Sequence, residues 1–276
     1  MAHSVLGLLG LALTTAALVV FGLRVLPAPR ARSLATPHPR RVLAIGAHPD
    51  DLELACGGTL AKLSDSGHEV HALVLSHGER GGEGTARPRE ARTGGVLLGL
   101  TSVQVHDFPD TRLAEDPVGL VQAIEAMIRR VNPDIVLTHS GHDQHQDHQA
   151  VHEATLRAAR QSTSILCYES PSATTDFRPS VFVDIDEYVE VKVAAVAAHR
   201  DQGRKPYMTP ERVRGIATFR GSQAKVGSAE GYEPVRSWAA PWGSCEARRP
   251  RHRGRRPRRP QPGCPAGRPR IPGGVR

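Results

Sequence analysis

Apolar runs alternate with amphipathic stretches along most of this chain. Residues 41–47, RVLAIGA, are a short apolar run ending in Gly and Ala, the pattern of a buried strand. Residues 52–66 then read as a helix, despite Gly57 and Gly58 inside it, and Gly67 ends it. EVHALVLS, 69–76, predicts a second strand, and the Gly-rich stretch 77–84 a loop. The pattern continues with a helix over 87–100, a strand over 102–106 and an amphipathic helix over 116–131. A strand over 134–139, a helix over about 146–161 and a strand over 164–168 follow. One further strand at 180–183 and a helix at 186–199 complete the reading.

Strands alternating with helices of this length predict an α/β fold: a Rossmann-like three-layer sandwich with a mostly parallel sheet. In such sheets ligands bind beyond the carboxyl ends of the strands. Two polar clusters fall there. His48-Pro49-Asp50-Asp51 follows the first strand, and a His-rich stretch from His139 to His148 follows the strand at 134–139. The fold thus brings two distant segments to one edge of one sheet.

Pro49 fits a helix start, where the dipole favours the ionised forms of Asp50 and Asp51. Adjacent side chains there point apart, so one carboxylate can ligate a metal while the other faces an open coordination position. The bland reading is a helix cap. The second cluster holds five histidines in fourteen residues, His139, His142, His145, His148 and His152, with Asp143 and Asp147 among them. Taken alone it could be a solvated loop. Together the clusters supply two histidines and a carboxylate with one position open, the makeup of a catalytic zinc site.

Composition changes this picture only at the ends. The formal charge is +8, but residues 244–276 hold eleven Arg and one Glu, so the rest of the chain sums to −2. The basic balance is a tail property and gives no reason to expect a specific nucleic-acid partner. That tail is Arg, Pro and Gly with few apolar residues, and is expected to be disordered. Two readings are open for it: a segment that meets anionic lipid, or an out-of-frame translation beginning after Trp242. Cys56, Cys167, Cys245 and Cys264 form no CxxC pair, which excludes a zinc ribbon or thioredoxin-type motif. Residues 5–23 are uncharged, enough for a helix across roughly 30 Å of hydrocarbon. Basic residues follow it, from Arg24 to Arg41. The expectation is therefore a transmembrane anchor over 1–24 with a cytoplasmic catalytic domain; the alternative is an export signal. The expected organisation continues with a linker over 25–40, a catalytic domain over 41–243 and the tail.

AHPDDLELACGGTLAKLSDSGHEV (47–70) and His145-Gln146-Asp147-His148 resemble the two hallmark segments of the PIG-L/LmbE family of zinc-dependent de-N-acetylases. FPDTRL at 108–113, NPDIVLTH at 132–139 and AAHRDQ at 197–202 are similar to family segments as well. The resemblance covers about 41–238, with Gln146 where many relatives have Pro. It implies zinc, or iron(II) in the cell, held by His48, Asp51 and His148. Asp50 is then the general base. His145, oriented by Asp147, stabilises the oxyanion or protonates the leaving amine. Arg87 and Glu90 stand near substrate-side positions, and the implied substrate is an N-acetylated sugar or glycolipid. Two other classes remain on the residues alone: a metal-dependent sugar or headgroup binder without turnover, and a metal-dependent phosphoesterase. A nicotinamide or flavin enzyme is disfavoured, because no GxGxxG follows the first strand.

Overall fold

In a computed structural model the described residues are 39–161 and 164–236. Seven strands form one sheet: β1 (Arg41–Gly46), β2 (Glu69–Ser76), β3 (Ser102–Phe108), β4 (Ile135–His139), β5 (Ser164–Tyr168), β6 (Val181–Asp184) and β7 (Ala229–Arg236). Their order across the sheet is β3-β2-β1-β4-β5-β7-β6. The first five are parallel; β7 runs antiparallel to both neighbours. The described helices of two turns or more are α1 (Asp51–Asp65), α2 (Arg87–Leu97), α3 (Pro117–Val131), α4 (Gln146–Ala158), α5 (Val189–Ala197) and α6 (Pro210–Ala224).

β1, β4 and β5 are buried throughout apart from Arg41, as their continuous apolar runs require of strands covered on both faces. On one side α3 and α4 pack together over Leu43, Ile45, Val136 and Ile165 through Leu120, Ile124, Met127 and Val151. Another group is formed by α1, α5, α2 and α6, where α5 contacts each of the other three. The two helical layers with the sheet between them give the three-layer α/β architecture.

The chain winds from β1 outward to β3, then returns to place β4 on the other side of β1. The strand order reverses between β1 and β4, which opens a crevice past their carboxyl ends. His48–Asp51 leave β1 there, and Ser140–His148 leave β4 there.

Two elements have no counterpart in the sequence pattern. Helix α6 buries only Val213, Ala217, Arg220 and Gly221, a stripe too short and polar to register as an apolar face. Strand β7 carries Glu230, Glu233 and Pro234, which argue against a strand inside a sheet. Glu230 is nonetheless buried, bonded to Lys192 Nζ at 2.6 Å and to the Gly58 and Thr59 N–H groups at 2.9 and 2.8 Å. The same packing explains Gly58 within α1, since a Cβ there would lie 2.7 Å from Ile185 Cδ1.

The expected membrane placement is corrected. Among the described residues no helix is long and apolar enough to cross a membrane. The longest have 15 residues, about 22 Å at 1.5 Å per residue, against roughly 30 Å of hydrocarbon. The run at 5–23 that motivated an anchor, most of the linker and the basic tail lie outside the described residues.

Candidate metal centre and active site

Asp51 is the hub of the crevice. It opens α1 and turns its carboxylate back towards the strand end. There Oδ2 accepts from Ala47 N at 2.9 Å, His48 N at 2.7 Å and His139 Nε2 at 3.1 Å. Buried His139, pushed down to about 4 by desolvation and then by the nearby His148, is a neutral donor. With Oδ2 so engaged, Oδ1 is left facing His148 Nε2 at 3.4 Å. His48 Nδ1 lies 3.6 Å from Oδ2, and one donor atom from each of His48, Asp51 and His148 lies within 4.8 Å of the other two. Tetrahedral ligands at roughly 2.1 Å from a zinc-sized ion sit about 3.4 Å apart, so the donor set fits a divalent metal in type and spacing.

Each histidine has its far nitrogen fixed by a carboxylate, as metal-ligating imidazoles require. His148 Nδ1 meets Asp143 Oδ2 at 2.9 Å. Asp143 also accepts from Ser170 Oγ at 2.5 Å and Ser172 Oγ at 2.6 Å. Burial would raise the Asp143 carboxyl, but His148 and the two hydroxyls hold it well below the usual range. His48 Nε2 meets Asp110 Oδ1 and Asp147 Oδ2, both at 3.1 Å. Asp110 is held near 2: desolvation opposes ionisation, and His48 and the Arg80 N–H outweigh it.

Among the described residues two further groups could hold an ion, His48–His145–Asp147 and His139–Asp143–His148. Both enlist carboxylates already committed elsewhere. Asp147 is fully buried and accepts from Thr111 N and Leu113 N at 2.7 and 3.1 Å. Asp143 is filled by the serines and His148. Only His48, Asp51 and His148 all line the open cavity. His142, the other histidine a ligand set might draw on, is half exposed and faces Glu233 at 3.1 Å.

Asp50 lines that cavity beside Asp51. Helix α1 begins at Asp51, so Asp50 is its N-cap and Pro49 precedes the helix instead of opening it. Asp50 has φ 110°, a conformation side-chain-bearing residues avoid, at a cost on the order of 1–3 kcal/mol. Arg87 braces the turn by donating to Pro49 O at 2.8 Å and Gly78 O at 2.5 Å, and lies 3.4 Å from Asp50 Oδ2. Arg87 is therefore buried beneath the turn, although it also lines the cavity. Desolvation, then the charge of Asp51, raise the Asp50 carboxyl to about 6.

His145 caps α4, its Nδ1 accepting the Asp147 N–H at 3.2 Å. Its proton therefore sits on Nε2. The ring stacks 4.5 Å from His148 and stands edge-on to His48 at 4.8 Å. The Asp147 carboxylate, expected to orient His145, is turned to His48 and to the turn at 111–113; only its backbone contacts His145. Sequence reasoning gave no role to Asp110, Asp143 or His139. Asp110 lies inside FPDTRL and Asp143 inside the His-rich stretch, so a signal existed for both. Lys205 and Tyr207 also line the cavity, which measures about 320 Å³, and nothing in their local sequence announces it.

Residues 43–159 match the PIG-L family, described as GlcNAc-PI de-N-acetylase. The uncharacterized deacetylase YaiS of Escherichia coli K12 is 39% identical over 166 residues, 58% of this chain and 90% of that protein. The chain belongs to the PIG-L family. The diacetylchitobiose deacetylase of Thermococcus kodakarensis is 32% identical over 188 residues, 59% of this chain and 70% of the relative. The chain is an amidohydrolase of this family. The fold is not confined to that chemistry: the 4-oxalmesaconate hydratase of Pseudomonas putida is 30% identical over 225 residues, 70% of this chain and 84% of that protein.

Proposed function

We propose that this chain hydrolyses the N-acetyl group of an N-acetylglucosamine-containing glycolipid, glycan or thiol-precursor glycoside, using zinc held by His48, Asp51 and His148. The observation that carries the reading is the convergence on one cavity of that donor triad with the strained, unligated carboxylate of Asp50. A bound zinc ion supplies Lewis-acid chemistry, acidifying water towards a pKa of about 7 and polarising a carbonyl.

The chain's own residues supply the rest. Asp50, near 6, is suited to carry a proton at neutral pH. It takes a proton from water as the hydroxide oxygen bonds to the acetamide carbon. His145 donates from Nε2 to the carbonyl oxygen as that atom gains charge. The C–N bond then breaks, the nitrogen takes the proton from Asp50, and acetate and free amine leave. Asp143 and Asp147 with Asp110 are positioning residues for His148 and His48. Arg87 holds the turn that presents Asp50.

The test is amine release by the zinc-loaded chain from a panel of N-acetylglucosaminides, with Asp50→Asn beside it. Asp50→Asn should keep stoichiometric zinc and lose 10²–10⁴ in rate. An equally active, zinc-loaded Asp50→Asn would remove Asp50 from the mechanism. No amine from any substrate, with hydration of an unsaturated tricarboxylate such as 4-oxalmesaconate instead, would favour the chemistry of the Pseudomonas putida hydratase.

A further inference from the structure

We propose that Gln202 is a positioning residue for the reaction: it fixes the Gly78–Gly81 turn, and through that turn the arginine that presents Asp50. Its effect on rate rests on the deacetylase reading above; its hold on the Asp50 turn does not. Gln202 Nε2 donates to Gly81 O at 3.3 Å. Gly81 N donates to Gly78 O at 3.0 Å and closes the turn. The same Gly78 O accepts from Arg87 Nη1 at 2.5 Å, while Arg87 Nη2 donates to Pro49 O at 2.8 Å. Asp50 comes next in the chain, its Oδ2 3.4 Å from that second nitrogen. The turn depends on glycine at its first residue. Gly78 has φ 67°, and a Cβ there would collide with the Arg87 guanidinium.

Four of the seven residues from 78 to 84 are glycine, and 79–83 are exposed. A backbone with that much freedom stays in one place only where contacts outside it offset the entropy. One tie is Asp110, whose Oδ2 accepts from Arg80 N at 2.7 Å and whose N–H donates to Glu79 Oε1 at 3.0 Å. The other is the turn after α5, closed by Gln202 N donating to His199 O at 3.0 Å. There Asp201 Oδ2 accepts from Glu83 N at 3.0 Å and from Gln202 Nε2 at 2.7 Å. Both contacts of that Nε2 are to acceptor oxygens, which fixes the orientation of the amide. The turn is itself anchored to α2 and α1. Asp201 N donates to Glu90 Oε1 at 3.3 Å, and His199 Nε2 lies 3.3 Å from Glu53 Oε1. Stability does not explain Gln202. It is 1% exposed, yet its Oε1 has no hydrogen-bond partner among the described residues, and its amide serves the carbonyl of an exposed glycine. A buried side chain satisfied on one end only costs stability that an apolar residue of like size does not. Such a residue would fill the space and leave Gly81 O unheld.

The experiment uses Gln202→Met in the zinc-loaded full chain, which keeps the bulk and removes the donors. Four quantities are read: kcat for amine release from an N-acetylglucosaminide, zinc Kd, thermal midpoint, and hydrogen exchange of the amides in 47–54 and 78–84. The variant should lose about ten- to a hundredfold in kcat, the scale that roughly 1 Å of misplacement produces. Zinc Kd should stay within twofold, and the thermal midpoint should fall by no more than about 2 °C or should rise. Exchange should quicken about tenfold or more in both segments. Gly82→Ala attacks the same contacts from the exposed loop, because its Cβ would stand 2.6 Å from Gln202 Nε2 and collide with the Asp201 carboxylate. It should lower kcat in the same way, and it decides the matter if Gln202→Met does not fold. Asp201→Ala should also lose rate. Asp201→Asn should recover it, since an amide oxygen accepts from both Glu83 N and Gln202 Nε2. A Gln202→Met kcat within twofold of the parent, unchanged exchange in 47–54, or a rate loss matched by a lower thermal midpoint overturns the proposal. A parent that releases no amine removes the deacetylase reading alone, and exchange in 47–54 then decides whether Gln202 holds the Asp50 turn.

Discussion

Asp143 never touches the cavity's open position, yet the geometry makes zinc affinity depend on it. Its Oδ2 holds His148 Nδ1 at 2.9 Å, while Ser170, Ser172 and the His145 N–H fill its remaining acceptor sites. Replacing it with Asn preserves shape and keeps an oxygen for His148 and Ser170; the amide NH2 takes the other position, where Ser172 Oγ can turn to accept from it and the His145 N–H loses its acceptor. For the imidazole, what is lost is the negative charge that makes it a stronger donor. Loss of such an outer partner costs 10–100-fold in metal affinity, about 1.4–2.7 kcal/mol. Asp143→Asn should thus raise the zinc Kd by that factor in competition with a chromophoric chelator, with circular dichroism unchanged. His142→Ala is the control, because its ring faces Glu233 and solvent. A zinc Kd within twofold of the parent for Asp143→Asn would refute the reasoning that places His148 Nε2 on the metal.

Three further outcomes follow from the same geometry. His148→Ala should lose stoichiometric zinc; retention by mass spectrometry under native conditions would place the ligand elsewhere. Glu230→Ala strands the buried Lys192 ammonium and two backbone donors, at about 3–5 kcal/mol. Its thermal midpoint should fall by more than about 6 °C, and a shift under about 2 °C would show the pair relaxes into solvent. Burial, with nearby anionic groups, raises the Tyr168 and Tyr232 phenols well above 10. A raised phenol stabilises the fold below its unfolded pKa of about 10, and that contribution is lost as pH climbs further. Absorbance at 295 nm should show these two phenols ionising only with alkaline unfolding; titration near 10 in the folded state would contradict their burial.

The local pattern alone carried most of the scaffold. β2 and β5 sit where alternation and apolar runs put them, and the loop Gly78–Gly84 follows from its glycines. Those signals are written residue by residue, because a strand covered on both faces must be apolar throughout. The crevice was legible too, since alternating elements imply a parallel sheet whose strand ends converge. Where the pattern failed, contacts between distant residues had replaced local preference. Glu230 is tolerated inside β7 because Lys192 and two α1 N–H groups meet it, and α6 is held by packing its own sequence does not signal.

The site divides the same way. His48, Asp50, Asp51 and His148 stand out because a metal needs those donor types near strand ends. Which carboxylate serves which histidine could not be read from the chain. Asp147 looked like a partner for its neighbour His145, but its side chain leaves α4 towards the turn at 111–113 and reaches His48. Asp143 reaches His148 across one helical entry, and Asp110 and Lys205 enter from elements far away in sequence. The sequence by itself determined the fold class and the chemical kind of the centre, because strand burial and donor type are properties of single residues. Only the tertiary structure decided the hydrogen-bond partners and the charge at the cavity wall, because those depend on angstrom-scale placement of side chains from separate segments.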